Sequence, residues 1–221
     1  LTRWIIAVRH GESEANAAFS RGRSLHGVRD ADVELTALGR EQSALLGGDL
    51  LALPEAEAPG RVCCSPFVRA RQTLRAVQEV RAAAGRAPLP VTCDERLRDR
   101  GMGLLELLTQ EGIAERFPEQ ARRREREGEA VYLPPGGESG LDVEARVRDF
   151  LADVAARPGP PLLVVTHDAV VLALCVLLGT PPPGDARVVN ASMARWWCDG
   201  GGGWRLADWN RVAARAGGGG V

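Results

Sequence analysis

Apolar positions in this chain fall into two patterns: short unbroken runs and longer stretches at helical spacing. Trp4 to Val8 is a run rich in β-branched residues that stops at Arg9-His10-Gly11, the mark of a buried strand feeding a polar loop. Thr36 predicts a helix cap, and Leu38, Leu45, Leu46 and Leu50 give helical spacing over 37–53 before Pro54 to Gly60 interrupts it. Arg61 to Ser65 predicts a second strand. Pro66 is placed in the first turn of a helix running to about Ala84, with Val68, Leu74, Val77 and Val80 available for burial. Pro88 to Cys93 predicts a third strand.

From Arg96 to Gly128 the pattern breaks into short, charged helical pieces separated by Gly101, Gly103, Gly112 and Pro118, an excursion from the core that predicts a cap insertion. Ser139 with Asp142 predicts the start of a helix carrying Val143, Val147, Phe150, Leu151 and Val154 and ending near Arg157. Leu162 to Val165 is a continuous apolar strand, Thr166-His167-Asp168 a loop, and Ala169 to Leu178 a helix buried on most sides. Val188 to Cys198 and Trp204 to Asp208 predict a hairpin. Strands alternating with helices imply an α/β fold with a mostly parallel sheet covered on both faces, and such sheets bind ligands beyond the carboxyl ends of their strands.

The 221 residues, 45% of them hydrophobic, suffice for one domain with a sizeable core. The expected organisation is one domain over 1–210 with a cap at about 96–138, then a glycine-rich, disordered tail over 211–221; Leu1 suggests a trimmed start. A net charge of −1 gives no field to collect nucleic acid or an anionic membrane, so any anion site is local. Every basic side chain is arginine, which binds phosphate in a bidentate way and makes a poor Schiff base. Five cysteines without a C-x-x-C pair suit a reducing, cytoplasmic setting as small core hydrophobes. The longest apolar stretch, 169–178, is about half of the ~20 residues a membrane span needs.

Chemistry concentrates at three strand-to-helix junctions: Arg9-His10 after the first strand, Arg69 after Ser65-Pro66, and His167 after 162–165. Parallel strands bring all three to one edge, where helix N-termini add N–H donors and a positive dipole. The arginines disfavour an imidazolium, so His10 is expected to stay neutral with a ring nitrogen free to attack phosphorus. Arg9, Arg69 and His167 can neutralise phosphoryl oxygens without a metal, and no carboxylate cluster of metal-ligand type stands beside them. The third histidine, His26, has no such setting.

These residues fall into motifs. Arg9-His10-Gly11-Glu12-Ser13 with Asn16 resembles the signature of the histidine phosphatase superfamily, the phosphoglycerate mutase-like proteins. The resemblance continues through Leu35-Thr36-x-x-Gly39, Ser65-Pro66-x-x-Arg69-Ala70-x-x-Thr73, Pro135-Gly136-Gly137-Glu138-Ser139 and Val165-Thr166-His167, in order, over about residues 3 to 180. It implies a three-layer α/β/α fold with a helical cap, a phosphohistidine at His10, a phosphoryl group held by Arg9, Arg69 and His167, and Asn16, with Ser13 of the same motif, helping to bind substrate. The cap sequence is most similar to fructose-2,6-bisphosphatase domains, which implies hydrolysis of a small phosphorylated metabolite; no cofactor is implied.

Several positions depart from that pattern. Asp99 stands where the family carries a glutamate proton donor and is one methylene shorter, with Glu106 and Glu138 as fallback donors. Leu133 and Gly136 replace an arginine and a lysine that hold sugar phosphate in bisphosphatases, which points to a smaller or singly phosphorylated substrate, while Tyr132 is a candidate pocket residue. Asp168 is expected to cap the following helix. The arginine-rich 122–127 is balanced by Glu119, Glu125, Glu127 and Glu129 and predicts a solvated helix; the C-terminal tryptophans predict hairpin packing and leave room for a homodimer. The expected function is a metal-independent phosphomonoesterase, with mutase-type phosphotransfer or phospho-ligand binding without turnover as alternatives.

Overall fold

The structure is a computed structural model that describes residues 3–183, 187–200 and 202–213. Its centre is a six-stranded sheet built from β1 (Arg3–Arg9), β2 (Arg61–Cys64), β3 (Val91–Cys93), β4 (Leu162–Thr166), β5 (Met193–Cys198) and β6 (Arg205–Arg211), in the order β3-β2-β4-β1-β5-β6. The first four strands are parallel, and the C-terminal hairpin joins antiparallel through β5 on β1. All five residues of β4 are buried, as expected of a central parallel strand covered on both faces.

Alternation along β1 divides the core. Ile6 and Val8, with Val62 and Leu163, face α2 (Ala37–Leu51) and α3 (Val68–Ala83) through Leu46, Leu50, Leu74 and Val77. Ile5 and Ala7, with Leu162 and Val164, face α6 (Gly140–Ala156) and α7 (Asp168–Leu177) through Val143, Val147, Phe150 and Leu174. This is the three-layer α/β arrangement expected from the sequence, with the hairpin's Trp196 fully buried in the second cluster and donating to Thr180 Oγ1 at 2.7 Å.

The cap comprises short 3₁₀ turns at Glu95–Leu97 and Gly103–Leu105, then α4 (Gln110–Arg116) and α5 (Pro118–Glu127). Its own core joins Leu105, Ile113 and Tyr132. As expected, α5 buries nothing and carries Arg122–Glu119 and Arg123–Glu127 pairs on its surface.

Five points of the sequence analysis need correction. Helix α2 does not bury Leu38; a stripe of Gly39, Ser43 and Gly47 lies inside instead, because the neighbouring chain comes too close for larger side chains, with a Cβ at Gly39 only 2.0 Å from Glu12 O and one at Gly47 3.0 Å from the Val80 side chain. Pro66 precedes the α3 cap, Phe67, rather than sitting in the first turn. A short helix absent from the sequence reading, α1 (Glu14–Phe19), follows the first loop. Cys93 is exposed on the edge strand, unlike buried Cys64 and Cys175, whose thiols burial pushes up to about 12. Arg211 closes β6, so it does not belong to the tail expected over 211–221; residues 214–221 and Leu1, on which the rest of that expectation and the trimmed start fall, lie outside the described residues. Among the described residues no helix is long and apolar enough to cross a membrane.

Candidate active site

The carboxyl ends of the parallel strands deliver Arg9, His10, Arg69 and Asp99 to one cleft of about 660 Å³, which Ser13, Asn16 and Asp168 also line, whereas His167 is buried behind that lining. The motif glycines and hydroxyls act here as scaffold. A Cβ on Gly11 would lie 2.2 Å from Gly39 O, and one on Gly39 would lie 2.0 Å from Glu12 O, so the loop after β1 meets the first turn of α2 backbone to backbone. Thr36 caps α2 by accepting from Gly39 N and donates to Glu12 Oε1 at 2.8 Å. Thr73 accepts from Gly11 N at 3.0 Å and donates to Arg69 O at 2.9 Å, tying the His10 loop to the helix that carries Arg69.

His10 is 2% exposed, and its Nδ1 lies 2.7 Å from Gly11 O. A carbonyl only accepts, so Nδ1 carries the proton and the Nε2 lone pair faces the cleft. Arg69 Nε donates to that nitrogen at 3.2 Å. Burial, then His167, Arg69 and Arg9, hold the His10 pKa well below the usual histidine value despite the Gly11 bond. The tautomer and charge state of His10 are therefore set by the protein itself.

Arg69 is the hub. Besides His10 it donates to Asp30 O at 2.6 Å, pairs with the Asp30 carboxylate at 3.0 Å and with Asp99 Oδ2 at 2.8 Å. Burial lowers its pKa, and Asp99 and Asp30 more than reverse that. Burial pushes the Asp30 carboxyl up, with Asp99 adding to it against the pull of Arg69. Burial pushes Asp99 up too, but His167, Arg69 and His10 outweigh it and hold that carboxyl well below its usual range. His167 is completely buried; its Nε2 meets Ser65 Oγ at 2.8 Å and its Nδ1 lies 3.3 Å from Asp99 Oδ2, close enough for an ion pair but without hydrogen-bond alignment. Ser65 Oγ also accepts from Phe67 N at 3.3 Å, which anchors the hydroxyl beside the His167 ring.

The loop carrying Asp99 is held from behind. Thr166 donates to Leu97 O at 2.8 Å, and buried Arg146 donates to Arg96 O at 2.6 Å and Asp99 O at 3.1 Å. Glu138 accepts from Arg146, Arg98 and Gly101 N, so this fallback donor is consumed as a clamp outside the cleft lining. Glu106, the other fallback, lines the cleft and accepts weakly from Asp30 N at 3.4 Å. Asp99 takes its charge partner from α3, not from neighbouring Arg96, Arg98 or Arg100.

Ser13 and Asn16 form the capping box of α1: Asn16 Oδ1 accepts from Ser13 N, Ser13 Oγ and Asn190 Nδ2, which turns the Asn16 NH₂ outward as a donor. Arg9 donates to Val188 O at 2.6 Å and pairs with Asp168 at 3.4 Å. Asp168 is the first residue of α7, whose cap position is His167; its Oδ1 accepts from Ala169 N at 2.8 Å at the helix start while its Oδ2 pairs with Arg9, so the carboxylate faces the cleft. Tyr132 is also misplaced by the sequence: its ring is fully buried in the cap core, its hydroxyl donates to Gln120 at 3.0 Å, and it does not line the cleft. Leu133 and Gly136 lie outside the lining as well, and His26 is exposed. Two contributors escaped the sequence reading, Asp30 and Asn190; neither sits in a periodic or motif context, and both reach the site only through tertiary packing.

Comparison with known proteins returns a family to which this fold and these motifs correspond. The sequence model of the histidine phosphatase superfamily (branch 1) matches residues 5–212, and the chain belongs to that superfamily as a phosphatase enzyme. It is 31% identical to glucosyl-3-phosphoglycerate phosphatase of Mycobacterium tuberculosis over 96% of both chains. A 6-phosphofructo-2-kinase/fructose-2,6-bisphosphatase of Caenorhabditis elegans is 33% identical over 80% of this chain and 34% of its own length. The solved structure of the mycobacterial glucosyl-3-phosphoglycerate phosphatase Rv2419c with VO3 superposes with a TM-score of 0.72 at 29% identity, covering 94% of this chain and 98% of that one.

Proposed function

We propose that this chain hydrolyses a small phosphomonoester by two in-line transfers through a phosphohistidine at His10, without a metal ion. The observation that carries the proposal is the desolvated, neutral His10 whose Nε2 faces the cleft beside Arg69. In the first transfer the Nε2 lone pair bonds to phosphorus, the ester P–O bond breaks, and the leaving oxygen takes a proton from Asp99. In the second, Asp99 removes a proton from water, the water oxygen bonds to phosphorus, and the P–N electron pair returns to His10. Arg9, Arg69, Asn16 and His167 hold the charge of the transferring group.

Asp99 is ionised in the resting site, whereas the first transfer needs its acid form. Substrate supplies the change: a phosphoryl group draws Arg69 onto its own oxygens and brings negative charge beside the carboxylate, and both effects raise the Asp99 pKa. Asp99→Asn is expected to lower kcat by about a hundredfold on alkyl phosphates and by much less on p-nitrophenyl phosphate, whose leaving oxygen needs no proton. Equal losses on both ester types would remove Asp99 from the donor role.

One metal-like grouping exists among the described residues, His10, Asp99 and His167, whose donor atoms lie within 4.8 Å of one another. Arg69 Nε already donates to His10 and its Nη2 to Asp99, so a metal cation would sit against a guanidinium. Phosphate release from a panel of esters in excess chelator tests the proposal. Full activity with chelator and its loss in His10→Ala support it; exchange of phosphate between positions of a bisphosphorylated acid without release would replace it with mutase chemistry.

The lowered His10 pKa sets a pH dependence. In a proton NMR titration the His10 ring is expected to remain neutral at about pH 6, where an ordinary histidine is mostly protonated. The unfolded chain takes up that proton near 6.5 while the folded chain does not, so acidification from 6.5 towards the lower folded value destabilises the protein. A His10 midpoint at or above 6.5 would contradict the site's electrostatics.

A further inference from the structure

Beyond the phosphoryl-holding end, the cleft offers a leaving group two kinds of surface. One is apolar: Phe19, Met102, Leu105, Leu107, Leu108 and Leu172 all line it. Leu107 is held at a left-handed φ of 59°, a conformation that a leucine adopts only when its surroundings impose it, and its side chain packs on Ala15 and Val33 beneath the site. The other surface is acidic. Six carboxylates line the cleft, from Asp30, Asp99, Glu106, Glu111, Glu129 and Asp168, against the four guanidiniums of Arg9, Arg69, Arg100 and Arg124.

The placement of those four cations decides what else can bind. Arg9 is paired with Asp168 and Arg69 with Asp30 and Asp99, and these two are the ones a phosphoryl group would recruit. The remaining two, Arg100 and Arg124, converge on one carboxylate, Glu129, at 2.9 and 2.5 Å, and Arg100 also donates to Tyr132 O and Glu138 O. Glu106 and Glu111 make no ion pair among the described residues. A second anionic group on the substrate would therefore meet two unpaired carboxylates and guanidiniums that are already engaged.

Resting on the phosphatase reading of the site, we propose that the cleft selects phosphomonoesters whose leaving group is uncharged or cationic with an apolar face. It discriminates against leaving groups that carry a carboxylate or a second phosphate. Repulsion between like charges a few ångströms apart in a partly desolvated cleft corresponds to discrimination on the order of tenfold or more.

Matched ester pairs isolate the charge. Glycerol 3-phosphate and 3-phosphoglycerate differ by a hydroxymethyl against a carboxylate, and phosphoethanolamine and phosphoserine differ by loss of a carboxylate. Wild-type kcat/KM is expected to favour the first member of each pair by about tenfold or more, with 1-naphthyl phosphate exceeding glycerol 3-phosphate. In Glu106→Gln/Glu111→Gln the two charge ratios are expected to narrow towards unity, while the preference for the naphthyl ester persists. Ratios at or below unity in the wild type, or ratios unmoved in the double variant, would overturn the proposal. Failure of the underlying reading looks different in the same assay: no ester releases phosphate, or release survives in His10→Ala.

Discussion

Replacing His10 with Ala is expected to lower phosphate release by at least about ten-thousandfold, because no other imidazole lines the cleft. Asp99 is ionised but tied to Arg69, and Ser13 is locked into the α1 capping box, donating to Asn16 Oδ1. His167 cannot substitute, since it is fully buried with Nε2 on Ser65 and its other ring nitrogen turned to Asp99. The loss is chemical rather than structural: the loop is fixed by Gly11, Glu12 and Thr36 through backbone and side-chain contacts that His10 does not make. His10→Gln, which keeps an acceptor for Arg69 Nε, guards against a folding artefact, and circular dichroism with a cooperative melt checks both variants. Residual activity within tenfold of wild type in either folded variant would refute a His10 nucleophile.

Arg69→Gln is expected to cost about a thousandfold in kcat/KM, the scale at which an arginine stabilises a transferring phosphoryl group. It should also destabilise the protein by about 3–5 kcal/mol, because the two carboxylates that share this guanidinium, their side chains only 15% and 23% exposed, would lose their shared cation. The pH dependence of the instability carries a sign. Without Arg69 the folded pKa values of both Asp30 and Asp99 rise, so the variant folds with more protons bound and recovers stability as pH falls towards their folded values. Arg69→Lys keeps the charge without the planar fork and is expected to restore stability more than turnover. Urea unfolding at two pH values, together with kinetics, checks these outcomes; a folded Arg69→Gln protein with near-normal kcat/KM would remove Arg69 from phosphoryl stabilisation.

The self-neutralised resting site has a functional consequence. Every arginine in the cleft already has a carboxylate partner, so phosphate gains only the difference between its own contacts and those it displaces. Weak retention of inorganic phosphate is the expected outcome, read as a high inhibition constant for phosphate in the ester assay.

The parts of this architecture that were legible in the sequence are those with a local physical cause. The β1 and β4 strands stand out because a strand buried on both faces must be apolar at every position, and α6 because Ser139 and Asp142 form its capping box. The edge site was legible because parallel strands send Arg9, His10, Arg69 and His167 to the same side. What was not legible depends on distant chain. Helix α1 buries only Ala15 and so has no apolar stripe. Asp30 sits on a short 3₁₀ turn whose only significance is the guanidinium that α3 brings to it. Tyr132 follows a charged, glycine-broken segment in which nothing local says whether its ring turns to the cleft or to the cap core. Asp168 had two favourable uses for a negative charge at a helix start, and only the packing of Arg9 beside it shows that it takes both, Oδ1 accepting from Ala169 N and Oδ2 pairing with Arg9.

Rapid quenching of the protein during turnover of a phosphorus-labelled ester, followed by mapping of protein-bound label, tests the central claim most directly. The structure predicts label on His10 at Nε2, because Nδ1 is held by Gly11 O, in an acid-labile and base-stable linkage that is absent from His10→Ala. Turnover at the normal rate with no label on His10 under any quench interval, or with label on another side chain, would contradict a phosphohistidine route in this protein.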